Sequence, residues 1–228
     1  EVLVPDEEDP PGLEFYCMPV FKYEGLYLGQ LYAYHAPPEE PLTRFAGTMD
    51  VQLASSRDGI SWERVGNRDP FIPNGPPGSL DHGEINAAIS PVLVRDELWF
   101  YYGGGPSQHG ITGRSQTICL AKLRLDGFVS MEGDGDGATL VTKPFRCDGG
   151  RLFINADARA GSVSVVVLGE DGIQKDGYGG IGCALFDGDS VSHQVTWRES
   201  PSLDPLKGQT IRLKFYLESA KLYSFALA

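Results

Sequence analysis

At 228 residues the chain is long for one domain and short for three, so one or two packed cores are expected, and a change of pattern along it favours two. Its 29 glycines and 16 prolines cut the apolar residues into short runs that long helices would not tolerate, which points to an all-β chain of short strands. A net charge of −12 argues against a phosphate-backbone partner, and no window approaches the roughly 18 apolar residues of a membrane span, so neither nucleic acid nor membrane is an expected partner.

The chain opens at Glu1 with no basic-then-apolar signal, which leaves localisation unassigned and a secreted or periplasmic setting open. The acidic stretch Asp6-Glu7-Glu8-Asp9 reads as a solvated loop, with a cation site as the minority alternative. A repeat follows. Pro19-Val20 and Leu26-Tyr27-Leu28 lie 72 positions before Pro91-Val92 and Leu98-Trp99-Phe100, with Tyr23-Glu24-Gly25 and Arg95-Asp96-Glu97 as the corresponding hairpin turns. Val51-Gln52-Leu53-Ala54 and Asp58-Gly59 then match Ile118-Cys119-Leu120-Ala121 and Asp126-Gly127 at offsets of 67 and 68. Each unit is expected to close with a fourth strand, Trp62–Val65 in the first and Phe128–Met131 in the second.

Four-stranded meanders recurring about every 70 residues are the blades of a β-propeller. Two blades, about 14–66 and 84–131, form a partial propeller over residues 1–134. Two cannot close a ring, so further blades upstream, or self-association through the open faces, are expected to cover them. Residues 132–137 read as an acidic glycine connector. Its oxygen ligands suit calcium, although the spacing matches no EF-hand, and no other cofactor is indicated.

Beyond the connector, strands are predicted at Thr139–Pro144, Arg151–Ala156, Ser162–Leu168, Val191–Trp197, Thr210–Leu217 and Lys221–Leu227. Val163, Val165 and Val167, and then Ile211, Leu213 and Phe215, fall on alternate positions, the period of a sheet with one buried face. A β-sandwich over 138–228 is expected. Of the four cysteines, Cys17 and Cys119 are expected to pack as small hydrophobes. Cys147 and Cys183 share one domain and either pair or stay free.

In such meanders the loop entering the first strand and the loop between the second and third lie at one end, where a propeller pocket would be. The second unit places Asp81, His82 and Glu84 on its lead-in and His109 and Arg114 on that loop. The first places Tyr16, His35, Arg44 and Asp50 at equivalent positions. Asp81 and Glu84 are candidate catalytic carboxylates, since a carboxyl pair can serve as acid with base or nucleophile at a sugar bond. Tyr16, His35, Asp50, His82, His109 and Arg114 are candidate sugar contacts. Each has a plainer alternative: a turn cap for Asp81, an exposed strand end for Glu84, a loop histidine bonded to a turn carbonyl for His35 and His109. Ser56–Trp62 sits at the opposite end and reads as structural, with Asp58-Gly59 as its hairpin turn and Trp62 packed between blades. Asn67-Arg68-Asp69-Pro70 holds an Arg-Asp-Pro triplet, but in a crossover.

Ser56–Trp62, Pro70–Gly75 with Gly78–Asp81, and Asp96–Gly104 with His109-Gly110, taken in order, resemble the five-bladed propeller proteins related to glycoside hydrolase families 32, 43 and 68. Leu120–Ser130 and Lys221–Phe225 resemble the last blade and appended sandwich of bacterial members of that group. The resemblance implies a carbohydrate-directed protein with a central pocket, as a glycosidase or as a non-catalytic binding or structural module. It also implies that catalytic carboxylates come from several blades, and neither an Asn-Asp-Pro opening motif nor a Glu-Cys acid motif is present.

Overall fold

Alternating apolar residues and glycine turns resolve into eighteen strands and two short 3-10 turns in a computed structural model that describes residues 1–37, 46–111 and 115–228. The chain is all-β, with several sheets, none of them closed among the described residues. It divides into two compact units, Glu1–Leu123 and Arg124–Ala228. No helix among the described residues is long and apolar enough to cross a membrane.

The first unit contains β1 (Leu13–Phe15), β2 (Val20–Tyr23), β3 (Leu26–His35), β4 (Thr48–Ser56), β5 (Glu63–Arg64), β6 (Pro70–Ile72), β7 (Glu84–Ala87), β8 (Val92–Val94), β9 (Glu97–Gly105) and β10 (Thr117–Arg124). They form one sheet in the order β1-β3-β4-β7-β9-β10, with β2 also on β3, β5 and β6 on β4, and β8 on β9. The repeat is visible in the pairing. β1 and β2 are two halves of one antiparallel partner of β3, and β7 and β8 stand in the same relation to β9. Glu24 and Gly25, with φ of 43° and 80°, make the two-residue turn whose twist suits a hairpin.

β3 and β4 are buried on both faces, which their apolar content allows. Successive side chains on a strand point to opposite faces, so the unbroken register from Tyr27↔Ser56 to His35↔Thr48 assigns each residue a side. On one side Gln30 donates to the Ala88 carbonyl at 2.6 Å and the Tyr32 hydroxyl to the Ala87 carbonyl at 2.6 Å, tying β3 to the second meander. Burial there pushes the Tyr32 hydroxyl up to about 12. On the other side Gln52 accepts from Arg64, which also pairs with Asp9 of the first segment. The aromatic seam of the unit is Phe100, edge-on to Phe71 at 5.3 Å and Phe21 at 6.2 Å.

The second unit contains β11 (Met131–Gly133), β12 (Ala138–Val141), β13 (Phe145–Arg146), β14 (Leu152–Asp157), β15 (Ser162–Gly169), β16 (Asp189–Val195), β17 (Thr210–Glu218) and β18 (Ala220–Leu227). One four-stranded sheet runs β11-β18-β14-β16, and in the other β17 pairs with β12 and β13 on one edge and β15 on the other. Both sheets send residues into one apolar core: Leu152, Ile154 and Leu222 from the first, Val163, Val165, Val167, Ile211, Leu213 and Phe215 from the second. The predicted alternation is the one observed.

Two expectations change, the fourth strand of the second meander and the packing of Cys17 as a small hydrophobe. Phe128–Met131 is not a fourth strand of the second meander: residues 125–128 turn, and Met131–Gly133 hydrogen-bonds instead to Ala220–Leu222 of β18. Met131–Gly133 thus belongs to the second unit, which begins at Arg124, the last residue of β10. Trp62 is half-buried, its indole N–H donating to the Gly59 carbonyl within its own turn at 3.1 Å. Cys17 is exposed, and Cys147 and Cys183 are buried and free.

Candidate functional site

Pairing across the first unit aligns a row of residues on one face. Glu14 of β1 lies opposite Tyr34 of β3, Tyr34 opposite Met49 of β4, and Met49 forms a parallel bridge to Glu84 of β7. Paired residues share a face, so Glu14, Tyr34, Met49 and Glu84 look the same way. The bridge is reinforced by the Met49 N–H, which donates to the Gly83 carbonyl at 3.0 Å. Gly83 must lack a side chain, because a Cβ there would stand 2.2 Å from the Ser107 carbonyl oxygen. That close approach brings the 106–111 loop over the row.

The loop delivers His109, whose backbone N–H donates to the Gly47 carbonyl at 2.8 Å. Gly47 in turn donates to the Tyr34 hydroxyl at 3.0 Å. The His109 ring is edge-on to Tyr34 at 5.5 Å and to Tyr16 at 5.1 Å, and Tyr16 and Tyr34 lie 4.9 Å apart. His109 Nδ1 is 3.1 Å from Glu84 Oε1, which also accepts from Asn86 Nδ2 at 3.2 Å. The Glu84 side chain is only 4% exposed, His109 24%, and Tyr16 43%. A buried carboxylate is thus joined to a partly exposed imidazole beside an exposed phenol ring. Such a pair can pass a proton outward or hold the imidazole in one orientation for a ligand.

His35 and Asp50 form a second pair, with His35 Nε2 2.7 Å from Asp50 Oδ2. Asp50 lies opposite Ala33, so both residues occupy the face away from Tyr34 and Met49. Asp50 is buried, and its Oδ1 has no hydrogen-bond partner among the described residues. The two histidines follow equivalent strands of the repeat, β3 and β9, but their carboxylates come from non-equivalent ones, β4 and β7, and strand alternation puts the pairs on opposite sides of β3–β4.

Asp81 stands apart from both. It accepts from the Ser79 hydroxyl at 2.7 Å and the Tyr102 hydroxyl at 2.8 Å. The Ser79 and then the Tyr102 bond hold its carboxyl below the usual range against the opposing cost of burial. His82 Nδ1 lies 3.1 Å from the Gly75 carbonyl, whereas His35 and His109, for which a turn carbonyl is the plainer alternative, both meet carboxylates. Arg44 and Arg114 lie outside the described residues. At the far end, Asp58 accepts from the backbone of Ser61 and Ile60, which lowers its carboxyl to about 2, as suits a structural turn. Arg68 of the Arg-Asp-Pro triplet pairs with Asp6 at 2.6 Å and Glu8 at 3.0 Å. The acidic opening stretch is therefore an ion-paired clasp. No cluster of three or more His, Cys, Asp or Glu suited to a metal occurs among the described residues.

Asn86 is the amide that the sequence offers on the same lead-in as Asp81, His82 and Glu84, whereas nothing in the local pattern points to Tyr34 or Glu14. Tyr34 reads there as one more apolar residue of a long strand. The available signal is parity: Tyr16 donates its backbone N–H to the Tyr32 carbonyl, and Tyr34 is two positions on along the same face.

No protein-family model matches the chain, and no curated protein matches it. Among solved structures it is similar to a glycoside hydrolase, at 16% identity over 53% of this protein and 35% of that one, with a TM-score of 0.40. It is similar to an N-acetylgalactosamine deacetylase from F. plautii in complex with blood group B trisaccharide, at 16% identity over 51% and 34% of the two proteins, TM-score 0.36. A Bombyx mori GH32 beta-fructofuranosidase in complex with sucrose aligns at 11% identity over 92% and 65%, TM-score 0.23. The chain spans about a third of the length of the first two. Likenesses this distant establish no function.

Proposed function

We propose that the chain is a carbohydrate-directed protein in which the first unit is two adjacent propeller blades, the second a β-sandwich, and a sugar binds at Tyr16, His109 and Glu84. One observation carries the reading: the buried Glu84 carboxylate, bonded to His109 beside the exposed Tyr16 ring. The phenol ring offers a flat apolar face for the C–H side of a pyranose or furanose. The imidazole and carboxylate offer directional polar contacts, the mix that small-molecule sites require. In a hydrolytic reaction Glu84 would act as acid or base through its own carboxyl or through His109.

A second reading, binding without hydrolysis, is favoured by the arrangement of the carboxylates. Asp50 lies on the opposite face and Asp81 is bonded to Ser79 and Tyr102, which leaves Glu14, in the same row as Glu84, as the second carboxylate a hydrolytic reading would need.

Titration calorimetry of the whole chain with a panel of plant and host-glycan oligosaccharides, paired with a reducing-end assay, tests both. Tyr16→Ala should weaken binding about tenfold, roughly 1.4 kcal/mol, and Glu84→Gln should abolish any hydrolysis. Binding with no released reducing ends selects the second reading. No binding to any member, or binding untouched by Tyr16→Ala and Glu84→Gln together, would reject the site.

A further inference from the structure

The outward face of the β12-β17-β15 sheet carries a groove of about 790 Å³, lined by the 135–137 turn and the start of β12, by Ser162, Ser164, Tyr216 and Glu218, and by Ile181 and Leu185. Register composes its floor. Thr139 and Ser164 both lie opposite Tyr216, one on each neighbouring strand, so a hydroxyl stands on either side of the ring. Glu218 and Ser162 pair in the next row on the same face. Inward neighbours Phe215 and Leu217 are fully buried, while Tyr216 remains 40% exposed with the Lys214 ammonium 4.7 Å from its centroid.

The wall supplies an independent observation. Ile181 is 94% exposed and Leu185 67%. Ile181 sits in the 3-10 turn Gly180–Gly182, flanked by glycines, and its side chain contributes almost no burial to folding. Large apolar side chains gathered around one groove, rather than scattered, mark a binding surface.

We propose that this groove is a second glycan-binding site, for a neutral oligosaccharide laid along β17, with Tyr216 as platform, Thr139, Ser164 and Glu218 as hydroxyl partners, and Ile181 and Leu185 as the apolar wall. Along β17 and β15 a peptide held by strand addition finds no open edge, because β17 is paired on both edges and β15 is bridged beyond by Phe186 and Gln174. Asp136 and Glu218 in the groove, on a chain of net charge −12, disfavour a polyanion. This site does not depend on the reading of the first unit.

Native electrophoresis of the full chain through gels containing galactomannan, arabinoxylan, inulin or mixed-linkage β-glucan tests it. At least one of these polysaccharides should retard the protein. Tyr216→Ala and Ile181→Asp should each weaken retardation about fivefold, whereas Tyr16→Ala with Glu84→Gln should leave it in place. Ile181→Asp changes a side chain that packs against almost nothing, so its effect cannot come from unfolding. Absence of retardation by all four polysaccharides overturns the proposal. So does retardation that survives both groove variants, or retardation lost with the first-unit double variant alone, which would instead locate the glycan at Tyr16 and Glu84.

Discussion

Asp81 is bonded to two hydroxyls, and these bonds make its charge part of the stability of the fold. A hydrogen bond to a charged group is worth about 1.5–3 kcal/mol, so Tyr102→Phe should cost about that much stability near neutral pH. Because the folded carboxyl titrates below its ordinary value of 3.8, the stabilisation is complete above that value and disappears as pH falls through the lower folded one. Urea unfolding of wild type and Tyr102→Phe at about pH 6 and again near pH 2 should therefore show a gap that narrows with acid. A constant gap would mean that the Tyr102 hydroxyl works through something other than the Asp81 charge. Sequence could nominate Asp81 and Glu84 alike, since both are carboxylates at a strand lead-in. What separates them is the hydroxyls of Ser79 and Tyr102, the second of them 21 positions away and brought near only by the β7–β9 pairing.

At the scale of elements, the site depends on two loops brought within contact of strands that are distant in sequence. Gly83→Ala would place a methyl 2.2 Å from the Ser107 carbonyl oxygen, a backbone atom that cannot swing away as a side chain could. The 106–111 loop must then lift. Overpacking of this kind costs about 1–3 kcal/mol, and here it should also remove His109 from Glu84. Nuclear Overhauser contacts from the His109 ring to the Tyr16 and Tyr34 rings, 5.1 and 5.5 Å away in the native protein, should weaken or vanish in Gly83→Ala; unchanged contacts would show that the loop has other anchors. The strands themselves were legible: alternation located β12, β14, β15, β16, β17 and β18, and the internal repeat located the hairpins. The repeat alone predicts a fourth strand at Phe128–Met131, where the chain instead turns and Met131–Gly133 joins β18. Whether Met131–Gly133 pairs forward or backward is decided by β18, almost 90 positions later, and local pattern carries no information about that.

For the whole chain, the open feature is the outer face of β8, β9 and β10. Val92, Tyr101, Ile118 and Leu120 are exposed there, and among the described residues β10 ends the sheet with one edge unpaired. A long apolar edge strand is a template for pairing with another copy. Sedimentation velocity should show the weight-average coefficient rising with concentration for wild type and staying flat for Ile118→Lys. A wild type that stays monomeric throughout would show the face to be harmless. The repeat made an uncovered face foreseeable. Which side of the meander stays uncovered follows from Phe100 packing toward Phe21 and Phe71, a choice visible only in three dimensions.

The opposite placement of the two carboxylate–imidazole pairs makes the site a matter of odd and even positions. One residue inserted in β4 would turn Met49 away and present its neighbour, exchanging the surroundings of Glu84 for those of Asp50. Two inserted residues would restore them. The alternation that matters runs within β4, where neighbouring Met49 and Asp50 serve opposite faces, whatever the length of the loop that precedes them.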